Sequence, residues 1–292
     1  MAEPYQEALP LVHGDMEYSI AHWNNLIWGA NHKTVTSYDP DDYSSTAGPS
    51  FASADHVFLK MYATTDALYA FTRDDGESGT HQLERTTTGT GTFTEVLEIG
   101  TEENFGLHRS LVEIDSDTLL FFEYEEATRV WVSTDSGENW SVLLTAFTGS
   151  VRHFHGAIYD AANATLYVMT GDTDDESTIL FCDDVPDLLA NAGTWRTAWG
   201  LDQDASTRTP STSYTLAVSG VYQSQATRAV DMICVGDYIY WGEDTSTTAG
   251  VKIHRAHRTT HATETVATGL HGQAWKLDYS AEGVLALATN SI

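Results

Sequence analysis

His153 and His155, separated only by Phe154, are the side chains of this sequence best placed to do chemistry. On an extended strand alternate residues share a face, so both imidazoles point the same way, at a workable metal-ligand spacing. Other strand-like runs open on His56, on His108-Arg109, on Arg228 and on His271. Arranged around one channel, His153, His155, Arg109, Arg228 and His271 are expected ligand contacts, with Trp241 a further one as a stacking surface at a unit edge. No carboxylate or cysteine stands at a spacing that supports the histidine pair. The expected state is therefore a polar channel of water and hydrogen-bonded histidines, with no resident metal and no catalytic residue assigned.

Acidic residues supply the other chemistry. In Gly171-Asp172-Thr173-Asp174-Asp175-Glu176 the alternate carboxylates of Asp172, Asp174 and Glu176 suit a hard cation such as Ca²⁺ or Na⁺, the competing reading being a solvated acidic loop. Glycoside hydrolysis would need two carboxylates about 5–9.5 Å apart across a pocket. Glu113, Glu123, Glu125 and Asp231 lie on or beside strand-like runs, but 42 acids are present and no pair stands out. Arg109, Arg152 and Arg228 are the arginines that would have to converge to grip a ligand carboxylate. Trp23, Trp28, Trp199, Tyr222, Trp241 and Trp275 would stack on sugars if exposed, and otherwise fill the core. A phosphate-binding glycine loop, a nucleophile elbow and an H-E-x-x-H motif are all absent from the sequence.

The elements that must position these groups are short strands. Apolar or alternating runs recur between clusters of Gly, Asp, Asn, Ser and Thr, while helical periodicity is confined to a single turn over Pro186-Asp187-Leu188-Leu189-Ala190-Asn191. The runs repeat as units of four strands. One unit runs Leu111-Val112-Glu113-Ile114, Leu119-Leu120-Phe121-Phe122, Arg129-Val130-Trp131-Val132, then Trp140 to Leu144. The next runs His155 to Tyr159, Leu166-Tyr167-Val168-Met169, Thr178-Ile179-Leu180-Phe181, then Trp195 to Trp199 as its outer strand. The aromatics Phe93, Trp140 and Trp195, each opening an outermost strand, stand 47 and 55 residues apart. Residues 200–227 exceed a normal connection and form an insertion, a candidate contact loop or a disordered connector.

Composition bounds the partners. The 292 residues include 42 Asp and Glu against 14 Lys and Arg, a formal charge of −28, and only Lys33, Lys60, Lys252 and Lys276 are lysines. Such a chain repels itself at ordinary salt; at about 1 M salt the Debye length falls to about 3 Å and the repulsion is screened. The acids are scattered through loops rather than gathered in a tail, as in proteins of salt-loving organisms. Nucleic-acid binding, which needs clustered bases, is not expected, and no apolar run approaches the roughly 18 residues of a membrane span. The acidic N-terminus lacks an apolar leader. Cys182 and Cys234 lie in apolar runs without a C-x-x-C spacing and are expected to be buried free thiols.

Ser133-Thr134-Asp135-Ser136-Gly137-Glu138-Asn139-Trp140 reads S-x-D-x-G-x-x-W and resembles the Asp-box of sialidase-like β-propellers. Physically it is a tight hairpin: Ser133 and Asp135 bond nearby backbone, Gly137 takes the positive φ, and Trp140 starts the next strand. The stretch from His153 to Asp160, with Thr170-Gly171-Asp172, is similar to viral and environmental members of the same group. The resemblance implies an all-β propeller of four-stranded blades. Six blades are expected, with five or seven as alternatives; residues 17–292 form the propeller and 1–16 an N-terminal arm or ring-closing strand. Sialidase chemistry would require an Arg-Ile-Pro segment, and all six prolines follow other residues (Glu3, Leu9, Asp39, Gly48, Val185 and Thr209). The expected function is thus a non-enzymatic virion-surface propeller, a head decoration, turret, tail fibre or spike. It would bind a host-surface glycan or glycoprotein and assemble with other virion structural proteins as a homo-oligomer. The alternative is a sialidase-like or other glycoside hydrolase acting on surface glycans.

Overall fold

A computed structural model describes residues 20–31, 33–42, 44–75, 79–100, 107, 109–124, 128–245, 251–270, 273–279 and 285–290. Their strands form antiparallel sheets in which each strand pairs with its neighbour in sequence. The first sheet holds β1 (Ile20–Trp23), β2 (Leu26–Ala30), β3 (Val35–Tyr38) and β4 (Ser45–Ala47). The second holds β5 (His56–Ala63), β6 (Leu68–Asp74), β7 (His81–Thr86) and β8 (Thr94–Gly100). The third holds β9 (Leu111–Glu113), β10 (Leu119–Phe122), β11 (Arg129–Ser133) and β12 (Ser141–Thr145). A three-stranded sheet follows, of β13 (His153–Asp160), β14 (Thr165–Gly171) and β15 (Thr178–Cys182). The fifth is four-stranded, with β16 (Met232–Val235), β17 (Tyr238–Gly242), β18 (Val251–His257) and β19 (Thr263–Leu270).

These are five blades, not six. Among the described residues the expected sixth is only a two-stranded ribbon of β20 (Gln273–Tyr279) and β21 (Leu285–Asn290). The expected arm at 1–16 lies outside the described residues.

Burial falls from the middle of a blade to its outer edge. Every residue of β14 is buried, which is why Leu166 to Met169 reads as a continuous apolar run rather than an alternating one. In β19, Thr-Glu-Thr-Val-Ala-Thr-Gly-Leu, no residue is buried. The chain divides into two compact units. One holds β1 to β8 with Asp115–Leu119 and Ser133–Ser141; its core gathers Trp23, Trp28, Phe51, Phe58 and Phe93. The other holds Arg109–Ile114, Leu120–Val132 and everything from Val142, with Phe122, Phe154, Trp195 and Trp199 in one cluster and Tyr167, Met169 and Trp241 in another.

Two expectations change in the fourth blade. The segment expected as its outer strand is helical: α1 (Val185–Ala190) is followed at once by α2 (Ala192–Ala198). Asp184 caps α1 by accepting from the Asp187 N–H, with Pro186 in its first turn. Trp195 and Trp199 stand four residues apart, so α2 turns both toward the core, where Trp199 Nε1 donates to Phe181 O at 3.2 Å. The 47-residue echo between Phe93 and Trp140 holds, since each directly precedes an outermost strand, whereas the 55-residue echo at Trp195 marks a helix. The insertion at 200–227 is ordered and covers the edge the missing strand leaves open: Leu216 N donates to Ile179 O at 2.9 Å, and Thr215 bridges Leu180. Both cysteines are free, but only Cys182 is buried; Cys234, near the end of β16, is exposed.

Candidate functional site

The histidine pair owes its geometry to an irregular strand. Along β13 the register with β14 slips between Phe154 and Gly156, so His155 is the extra residue of a β-bulge, a device that re-aims a side chain. Gly156, at φ +125°, lets the bulge lie against the Arg109 backbone, where a Cβ would collide with it; Ala157 N donates to Arg109 O at 2.9 Å. As a result His153 Nε2 and His155 Nε2 approach to 3.1 Å. Both rings are 1% exposed. His155 Nδ1 lies 2.7 Å from Ala229 O; a carbonyl only accepts, so Nδ1 carries the proton, and in the neutral ring Nε2 presents a lone pair. Tyr124 stacks on His153 with centroids 4.0 Å apart.

Hairpin register delivers the third member. Gly171, the last residue of β14, pairs with His153, so Asp172 emerges beside the imidazoles. Its Oδ1 lies 3.2 Å from His153 Nε2 and 3.5 Å from His155 Nε2. Gly171 has to be glycine, since a Cβ there would run into the His155 ring. Two arginines close on the same carboxylate, Arg228 Nη2 at 3.0 Å from Oδ1 and Arg152 Nη1 at 3.1 Å from Oδ2. Arg228 also lies 3.2 Å from Asp244 Oδ2.

These contacts set the charge states. Burial acts to raise the Asp172 pKa, but the hydrogen bond from His153, the contact with His155 and the Arg228 charge outweigh it, holding the carboxyl well below its ordinary range. Burial is also the largest influence on His153, pushing its pKa down; His155 and Arg152 act in the same direction, and the contact with Asp172 opposes them. At neutral pH the centre is an ionised Asp172 against a neutral His153 and two guanidinium groups.

The other expected site residues are placed as follows. Arg109 does not join Arg152 and Arg228 on Asp172; its Nε donates to Asp231 Oδ1 at 2.6 Å, and Asp231 Oδ2 also accepts from Leu277 N. Trp241 is fully buried, with Nε1 donating to Ala226 O at 2.9 Å. Trp23, Trp28 and Trp199 are core residues too. His271 and His108 lie outside the described residues. Asp174 is exposed, and Glu176 holds the loop backbone, its Oε2 accepting from Asp172 N, Thr173 N and Thr173 Oγ1. In the Asp-box hairpin, Ser133 Oγ accepts from Gly137 N at 2.9 Å and Asp135 Oδ1 from Asn139 N at 2.9 Å. Gly137 has φ +82° and Trp140 Nε1 donates to Gly137 O at 3.2 Å.

A rule unites these acids: where a second or third strand brings a carboxylate to the blade rim, an arginine or a histidine meets it. His56 meets Asp74 and Glu84, Arg129 meets Glu123, and His254 meets Glu243. Glu123 Oε1 also accepts from Trp131 Nε1 at 2.7 Å. Sequence spacing missed Asp172 as the partner of the histidines because 17 residues separate it from His155; the signal was the hairpin register, which places 172 next to 152 and 153.

No protein-family model and no curated protein matches this sequence. Solved structures do match. A chain of the mitotic checkpoint complex aligns at TM-score 0.56 and 12% identity, over 96% of this chain and 78% of that one. YCF48, solved bound to a D1 peptide, aligns at 0.52 and 10%, over 93% and 75%. The GH74 xyloglucanase of Xanthomonas campestris aligns at 0.56 and 13%, over 89% of this chain and 39% of that one. These neighbours include β-propellers, and the likeness shows that fold for this chain.

Proposed function

We propose that this chain is a non-catalytic binding propeller. The observation that carries the reading is the occupation of Arg152 and Arg228 by the protein's own Asp172. A sialidase-like site would hold its arginines open for a substrate carboxylate, and here an internal carboxylate stands in that place. The rim acids support the same reading, because Glu123 and Asp231 are each closed onto an arginine, and Glu84 and Glu243 each onto a histidine. Acids held in ion pairs are poor proton donors to a leaving group.

A polar recess of about 520 Å³ lies beside the Asp-box, lined among others by Arg85, Thr86, Thr94, Glu95, Glu138 and Asn139. Hydroxyl, amide and charged groups of this kind suit the hydroxyls of a glycan. With the scattered acids and scarce lysine of the surface, they support a virion-surface protein of a salt-loving host's virus that attaches to a host-surface glycan or glycoprotein. Assembly as a homo-oligomer with other virion proteins belongs to the same proposal.

The test is incubation with host envelope glycans in multi-molar salt, following both retention on a glycan array and release of reducing sugar. Retention without release is the expected result. Released sugar would overturn the reading in favour of a glycoside hydrolase.

A further inference from the structure

We propose that His153, His155 and Asp172 form a binding site for a divalent transition-metal ion of the zinc class. The three donor atoms, His153 Nε2, His155 Nε2 and Asp172 Oδ1, form a triangle with edges of 3.1, 3.2 and 3.5 Å. A tetrahedral ion with bonds of about 2.0–2.2 Å to imidazole nitrogen and carboxylate oxygen needs donor edges of roughly 3.3–3.5 Å. The site is thus close to ligating distance before any ion enters. Two imidazoles and one carboxylate favour a borderline transition metal over Ca²⁺ or Mg²⁺, which take oxygen donors.

The outer contacts point the same way. His155 Nδ1 lies 2.7 Å from Ala229 O, the kind of contact that orients a metal-ligating imidazole. His153 Nδ1 is buried without a partner. An ion at the centre of the triangle satisfies all three donors at once.

The surrounding arginines accommodate the ion. Arg152 bonds Oδ2 of Asp172 and leaves Oδ1 for the metal. Arg228 shares Oδ1, yet Asp244 stands 3.2 Å from its Nη2. Arg228 Nε and Asp244 Oδ1 are both buried and unpartnered. A small rotation of Arg228 toward Asp244 would pair both orphans as a two-point contact and free Oδ1. The two guanidinium groups also favour an anion or hydroxide in the ion's fourth position.

The full chain, stripped with chelator and kept in about 1 M KCl to screen non-specific cation binding, is titrated with Zn²⁺ by calorimetry and with Co²⁺ by visible absorption. One tight equivalent is expected, with the intense bands of four-coordinate Co²⁺, bleached by Zn²⁺ and unaffected by excess Ca²⁺. Asp172→Asn and His155→Ala should each weaken binding at least about tenfold, while Asp174→Asn should bind as the wild type does. The wild-type titration decides even if a histidine variant fails to fold. Absence of a stoichiometric site, or equal binding by Asp172→Asn, would overturn the proposal.

Discussion

Arg228 Nη2 lies 3.0 Å from Asp172 Oδ1, and this contact ties the approach to β16 to the loop that leaves β14. Asp172 is 21% exposed and Arg228 22%, so the pair is neither a surface bridge of small worth nor a fully desolvated one. Replacing Asp172 by Ala removes the partner of two arginines and of two buried imidazoles. The expected cost is about 1–3 kcal/mol, below the range for a fully buried pair. A double-mutant cycle with Arg228→Ala should show coupling of about 1 kcal/mol or more by chemical denaturation. Strictly additive effects would mean that the contact carries no energy.

Gly137 and Tyr69 make a second cycle. Gly137 has φ +82°, and a Cβ there would collide with the Tyr69 hydroxyl, which donates to Ser136 O at 3.0 Å. Gly137→Ala should cost about 2 kcal/mol or more, combining backbone strain with the collision. In a Tyr69→Phe background the collision is relieved and about 1 kcal/mol of backbone cost remains. Thermal melts of the four proteins measure it, and an unchanged cost in the Phe background would contradict the contact.

The legible part of this architecture was what depends on local sequence. The Asp-box announced its own hairpin because the bonds that close it join residues four positions apart, Gly137 N to Ser133 Oγ and Asn139 N to Asp135 Oδ1. The buried runs of β10 and β14 were readable as strands for a similar reason. Trp195 and Trp199 misled: their spacing of four was helical, but the repeat suggested a strand, and tertiary packing of both rings settled it. The histidine pair was visible at i and i+2, whereas Asp172 and Arg228 join it only through hairpin register and an inter-blade approach. Such non-local partners leave no spacing signal.

Asp135 gives the Asp-box a pH signature. Hydrogen bonds from the Asn139 side chain, the Asn139 backbone and Ser133 lower its pKa to about 2. A carboxyl depressed in the folded state stabilises fully above its unfolded value of about 3.9 and loses that contribution as pH falls toward the folded value. Asp135→Ala should therefore melt below wild type, by about 2 °C, at pH 6. The gap should close between about pH 4 and pH 2. A gap that persists at pH 2 would show that the carboxylate charge is not what holds the turn.

The two thiols should separate cleanly. Cys182 is fully buried in β15, and burial pushes its pKa up to about 12, so little thiolate forms at pH 8. Cys234 is exposed. A disulfide reagent should label one thiol per chain in the native protein and two after denaturation, with Cys234→Ser abolishing the native reaction. Two native equivalents would mean that β15 opens readily.

Charge governs the last expectation. Forty-two acids against 14 bases give a charge of −28, and local pairing consumes bases fast: Arg152 and Arg228 are both committed to Asp172. With three acids for every base, much of the carboxylate charge is left for solvent ions to screen. Raising KCl from about 0.01 M to about 1 M shortens the Debye length from about 30 Å to about 3 Å, so the melting temperature should climb across that range. KCl is the right salt, because sulfate would also strengthen apolar burial and confuse the cause. Replacing exposed acids such as Asp174 and Asp175 by Asn should flatten the climb. A melting temperature that is already maximal in low salt would remove the argument for a salt-adapted protein, and with it one support for a virion that works in brine.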